Sequence, residues 1–124
     1  MKDYASMSDF EINSAVHNAL LSEPYSMLFM GNDRIEWTSK DGRKIVTDRV
    51  PYTKNGVHDY CNNPEEAWPI ITENRIGIIP APDAGKWKSA HREVGEDDTP
   101  YHFTQSDNPL RAAMIVFLMM KEGE

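Results

Sequence analysis

Residues 112–120 read Ala-Ala-Met-Ile-Val-Phe-Leu-Met-Met, the longest uninterrupted apolar run in the sequence. Asn108-Pro109 stands just ahead of it. An Asn cap followed by Pro at the first helical position predicts a helix from Leu110 to about Lys121. Such a helix is apolar on every face, so every side has to be shielded from water. A bilayer span needs about 20 residues, and this run is far shorter. It is therefore predicted to be a buried C-terminal helix. A sheet can cover one side. The first helix, a long loop carrying Trp87, or a second protomer in a homodimer can cover the other.

The rest of the chain has room for little more than one domain, spanning residues 1–124. Ser8 with Glu11 three residues later is a capping-box signature. It opens a helix in which Phe10, Ile12, Val16, Ala19 and Leu20 keep a mostly helical apolar spacing. Pro24 closes that segment. Three strands follow, at 26–30, 34–38 and 44–50, with Gly31-Asn32-Asp33 and Lys40-Asp41-Gly42 as turns. Ile35 and Trp37 alternate with Arg34, Glu36 and Thr38, as in a half-buried strand. Asp41-Gly42 suits a tight hairpin, predicting an antiparallel meander. After a polar connection, Asn62-Asn63-Pro64-Glu65-Glu66 starts a second helix, which Pro69 shortens or kinks. A further strand runs from Arg75 to Ile79. Residues 80–107, broken by Pro80, Pro82 and Pro100, read as a long acidic loop. The fold class is α+β, in the order helix, three-stranded antiparallel meander, helix, strand, buried C-terminal helix.

Thirteen Lys and Arg face twenty Asp and Glu, a net charge of −7. That disfavours a non-specific nucleic-acid coat and a basic membrane-surface protein. Helix, three strands and helix is also the order of double-stranded-RNA-binding domains, an analogy of topology only. Such domains hold phosphate with basic residues at the second helix, where this chain has Glu65-Glu66. Duplex nucleic acid is not an expected partner. The single cysteine excludes an internal disulfide and any zinc site made of cysteines alone. The opening residues lack the apolar core of a secretory signal, so the cytoplasm is the expected location.

His58-Asp59-Tyr60-Cys61 is the densest group of reactive side chains. His-x-x-Cys could pair a thiolate with a base or supply half of a zinc site. A closed zinc site needs about four ligands, and neither His91 nor His102 has motif spacing. No metal or cofactor is expected, and the chain leans away from being an enzyme. Tyr60, Asn62, Asn63 and Trp68 form a second candidate, two amides and two aromatics at a helix start. They could bind a base, a carboxylate or a peptide carbonyl. Capping by one Asn and burial of Trp68 is the simpler account. Residues 26–54 hold six bases against four acids with Phe29, Trp37 and Tyr52 among them, which more often marks a solvated sheet face than a stacking surface. Glu93, Glu96, Asp97 and Asp98 look solvated rather than catalytic.

Three blocks carry a family resemblance. The first is Asp3-Tyr4 with Ser8-Asp9-Phe10-Glu11-Ile12-Asn13. The second is Asp59-Tyr60-Cys61-Asn62-Asn63-Pro64 with Ala67-Trp68-Pro69-Ile70-Ile71. The third is Asn108-Pro109-Leu110-Arg111-Ala112-Ala113. Together they resemble the NinX-like proteins of lambdoid bacteriophages and prophages, and cover about half of the chain. The resemblance carries no catalytic residue across; it implies a phage accessory protein in a bacterial cell. Two functions are open at this point. One is a module that binds a host or phage protein, modulating a defence or replication factor. The other is a small-ligand or nucleotide-like site, binding or enzymatic, around His58, Cys61, Asn62, Asn63 and Trp68.

Overall fold

The structure, a computed structural model, describes residues 4–32, 34–47, 52–53, 56–91 and 102–122. Its contacts divide the chain into two compact units, residues 1–59 and 60–124.

In the first unit a 3-10 turn, Tyr4–Ser6, leads to helix α1, Asp9–Ala19. Ser8 Oγ accepts from the Glu11 N–H at 3.2 Å, and the Glu11 carboxylate accepts from the Ser8 N–H at 3.0 Å. The predicted capping box is complete, and two otherwise unpaired donors of the first turn are satisfied. Ile12 and Val16, four residues apart on one face, are fully buried. Asn18 is buried too, and its amide bonds both the N–H and the carbonyl of Tyr25 at 2.8 Å. That pair fixes the reversal through Pro24.

The chain then forms strands β1 (Ser26–Gly31), β2 (Arg34–Thr38) and β3 (Lys44–Thr47), an antiparallel sheet with β2 in the middle. Gly31 and Asn32 turn the first corner at positive φ. At the second, Ser39 N–H donates to the Arg43 carbonyl and Gly42 N–H to the Ser39 carbonyl. Gly42 alone takes a positive φ, 87°. This is a three-residue hairpin loop closed by a left-handed glycine rather than a two-residue turn. Asp41 braces it, accepting from Ser39 Oγ and from the Arg43 N–H. Register places Met27, Trp37 and Ile45 side by side, with Ile35 opposite Thr47. Ile35 and Trp37 are buried. Tyr52–Thr53 and Gly56–Val57 pair as a minimal ladder, β4 and β5. Residues 48–50 of the expected third strand lie outside the described residues.

In the second unit Asn63 caps helix α2, Pro64–Glu73, by accepting from the Glu65 N–H at 3.1 Å. The helix passes through Pro69. Only the bond to the Glu65 carbonyl is lost, and both residues are exposed, so water can serve it. Arg75, in the left-handed region at φ 56°, ends the helix. The Ile76 N–H reaches the Ile71 carbonyl and the Arg75 N–H the Thr72 carbonyl. This is a Schellman closure whose two hydrophobic partners, Ile71 and Ile76, are buried.

Segment 80–107, expected as a loop, instead contributes two strands. β6 (Gly77–Pro80), β7 (Trp87–His91) and β8 (His102–Ser106) form a second antiparallel meander. The acidic run from Glu93 to Asp98 lies outside the described residues. One face of this sheet carries Ile78, Ser89 and Thr104 in line, with Ser89 fully buried and donating to the Gly77 carbonyl. The other face shows Ile79 and Phe103 to solvent, with the Lys88 ammonium 5.0 Å from the Phe103 ring centre.

Helix α3, Pro109–Glu122, packs on β7 and β8, touches β6, and lies against α2. Residues 112–118 are all buried within the single chain. The apolar run is shielded by sheet on one side and α2 on another. Its burial does not require a second protomer.

Candidate functional site

The residues singled out around 58–68 are held by backbone-directed bonds. Asn108 is the hub. Its Oδ1 accepts from the Leu110 and Arg111 N–H groups at 3.0 and 3.2 Å, capping α3. Its Nδ2 donates to the Cys61 carbonyl at 2.8 Å and to Asn62 Oδ1 at 3.0 Å. One amide thus caps one helix and fastens the approach to another. Asn62 and Cys61 are brought together on it, while Asn63 serves α2.

Cys61 is fully buried, and so is most of Tyr60. Burial, helped by the negative charge of Glu66, pushes the Tyr60 phenol up to about 12. Trp68 points the other way from the expectation of a core residue, with 59% of its surface exposed on α2. In the first unit His58 stacks against His17, ring centres 5.0 Å apart and tilted by 37°. Among the described residues no three His, Cys, Asp or Glu side chains come close enough to share a metal ion.

A different constellation lies in the first unit. His17, Leu21, Tyr25, Trp37, Ile45 and Thr47 line a hollow of about 160 Å³. Tyr25 meets Trp37 edge-on at 6.1 Å, and the Trp37 indole N–H donates to Thr47 Oγ1 at 2.8 Å. Desolvation, and then the charge of His58, hold the His17 imidazole below its ordinary value. Tyr25 and Ile45 also border a wider trough of about 570 Å³ along the β2–β3 hairpin. Lys40, Arg43 and Lys44 line it, with Glu23 and Asp41. Arg43 is paired to Asp41 at 3.1 Å, and Lys44 to Glu36 at 3.7 Å. Both pairs are exposed enough to exchange partners readily.

Of the aromatics noted in 26–54, Trp37 is buried and Phe29 half-buried, and the side chain of Tyr52 lies outside the described residues. They do not form an open stacking platform there. The sequence pointed to Trp37 but not to His17, Leu21, Tyr25 or Ile45. The signal available for Ile45 was its neighbour Val46. Two successive apolar residues in a short strand put one on each face.

Against known proteins, the chain matches the family described as Bacteriophage P22, NinX over residues 3–121. The chain belongs to that family. No curated protein matches it. Membership makes it a phage accessory protein and gives meaning to its three sequence blocks. Asn13, from the first, donates to Asp59 at the start of the second at 3.0 Å. Asn108, from the third, holds Cys61 and Asn62 of the second. In this NinX-family chain the most recognisable residues are those that tie segments together. None of the described helices is long and apolar enough to cross a membrane.

Proposed function

We propose that this NinX-family chain works by binding a protein of the host or the phage, modulating a defence or replication factor rather than catalysing a reaction. One observation carries the reading. The outward face of the first sheet shows Leu28, Met30 and Val46 to solvent, Leu28 with 58% of its surface exposed. Register sets Leu28 and Val46 on either side of Glu36, so the exposed apolar side chains lie on the two outer strands and flank that carboxylate on the central one. Exposed apolar side chains set around a charged pair on one sheet face are what a partner's surface covers. The alternative small-ligand site finds less support. Cys61, Asn62 and Asn63 have architectural bonds, and Trp68 lies open on a helix surface.

The test is affinity capture of the tagged chain from a bacterial host carrying the phage, with Leu28→Asp/Met30→Asp as the comparison. The expected result is one protein retained in stoichiometric amount by the intact chain and lost from the double variant, with unchanged far-UV circular dichroism. Equal retention by both would contradict the surface. A rise in Tm with nucleotides or divalent metals, with no protein retained, would favour the small-ligand site.

A further inference from the structure

The hollow beside Trp37 and the trough along the hairpin share Tyr25 and Ile45, so they adjoin at those two side chains. The inner part has the volume of a single large side chain, comparable to a cavity that takes a benzene ring. Its walls are mostly apolar or aromatic, with His17 and Thr47 as the polar members, and the indole N–H of Trp37 already has Thr47 as its acceptor. An apolar group entering there leaves the indole N–H paired. The outer part carries Lys40, Arg43 and Lys44; Arg43 and Lys44 sit in pairs with Asp41 and Glu36 that an incoming carboxylate can exchange into.

Strand β3 borders both parts, and among the described residues it pairs only with β2. The Ser39 N–H bonds the Arg43 carbonyl, so Ser39 and Arg43 form a hydrogen-bonded pair. Alternation along an antiparallel ladder then turns the backbone groups of Arg43, Ile45 and Thr47 toward β2. Those of Lys44 and Val46 face away. That edge is short but flat in chemistry. Ile45 on one face is 61% exposed and Val46 on the other 41%. Exposed apolar side chains on both faces of an edge strand are what an added strand would cover.

We infer that the edge of β3 takes an extended, acidic segment of a partner protein as a fourth strand, with one large apolar side chain seated in the hollow beside Trp37. The backbone of Lys44 and Val46 supplies the ladder, the hollow selects the anchor, and Lys40, Arg43 and Lys44 draw the carboxylates. A small molecule is the poorer occupant, because a groove this open leaves most of it in water. The inference rests on the binding-module reading but uses an edge, not the outward face carrying Leu28 and Met30.

The experiment selects a displayed library of random 12-residue peptides on the intact chain and measures Kd for the enriched peptides on three variants. Val46→Pro removes an N–H that faces away from β2, so it spares the existing sheet while blocking strand addition. Ile45→Asp places a charge at the mouth of the hollow, on an exposed residue. Lys40→Glu tests the charge. The expected peptides carry acidic residues around one aromatic or large aliphatic residue. Their Kd should weaken at least ten-fold in Val46→Pro and Ile45→Asp and several-fold in Lys40→Glu, and they should shift the Trp37 indole resonance. Peptides bound equally well by Val46→Pro would overturn strand addition, and no enriched peptide would overturn the groove. A host protein captured by the intact chain and equally by Ile45→Asp would remove the groove while leaving the module reading in place.

Discussion

At the scale of single residues, His17 has the most to say about conditions. It sits half-buried at the hollow, against a second imidazole, and both features disfavour its charged form. Its folded pKa therefore lies below the unfolded value near 6.5. Above that value both states are neutral and the group contributes nothing to the pH dependence. As pH falls through 6.5 the unfolded chain takes up a proton that the folded chain resists, so stability drops until the folded pKa is passed. The loss of urea-midpoint stability between about pH 7 and pH 5 should be shallower in His17→Gln than in the natural chain, which equilibrium unfolding across that range measures. An unchanged slope would mean that His17 is not the group responsible. None of this was legible in the sequence. His17 lies in an ordinary helical stretch, and its neighbour His58 arrives from more than forty positions away.

At the scale of elements, the helix starts were the legible part and the second sheet was not. Ser8, Asn63 and Asn108 announce their helices through local chemistry, a side-chain oxygen one turn ahead of unpaired N–H groups, and all three act as caps. Strands β7 and β8 hid because their buried face is made of Ser89 and Thr104 while Phe103 faces outward. A sequence pattern that expects apolar residues inside reads this backwards. The cover comes from α3, which packs on both strands and whose Met114, Ile115 and Phe117 are buried. Asn108 does more than its motif says, and the difference is measurable. Asn63→Ala removes one cap and should cost about 1 kcal/mol. Asn108→Ala removes a cap and the tether to Cys61 and Asn62, so it should cost about 2 kcal/mol or more. Urea unfolding of the two variants side by side checks the order. Equal costs would show that the tether contributes nothing.

At the scale of the whole molecule, the division between inward-used and outward-facing residues matters most. The recognisable blocks of the sequence are used internally, in caps and ties, and the apolar C-terminal helix is buried within its own chain. The first sheet leaves Leu28, Met30, Ile45 and Val46 facing solvent, in a segment that the sequence resemblance did not cover. The groove was illegible for a physical reason. Its walls come from a helix, the turn after it and two strands, which only folding assembles. The most direct test of the account is amide hydrogen exchange on the intact chain, alone and in complex with the protein it captures from its host. The account predicts slowed exchange across β3, at residues 44–47, on binding. Unchanged exchange there, with protection confined to residues 60–122, would contradict it.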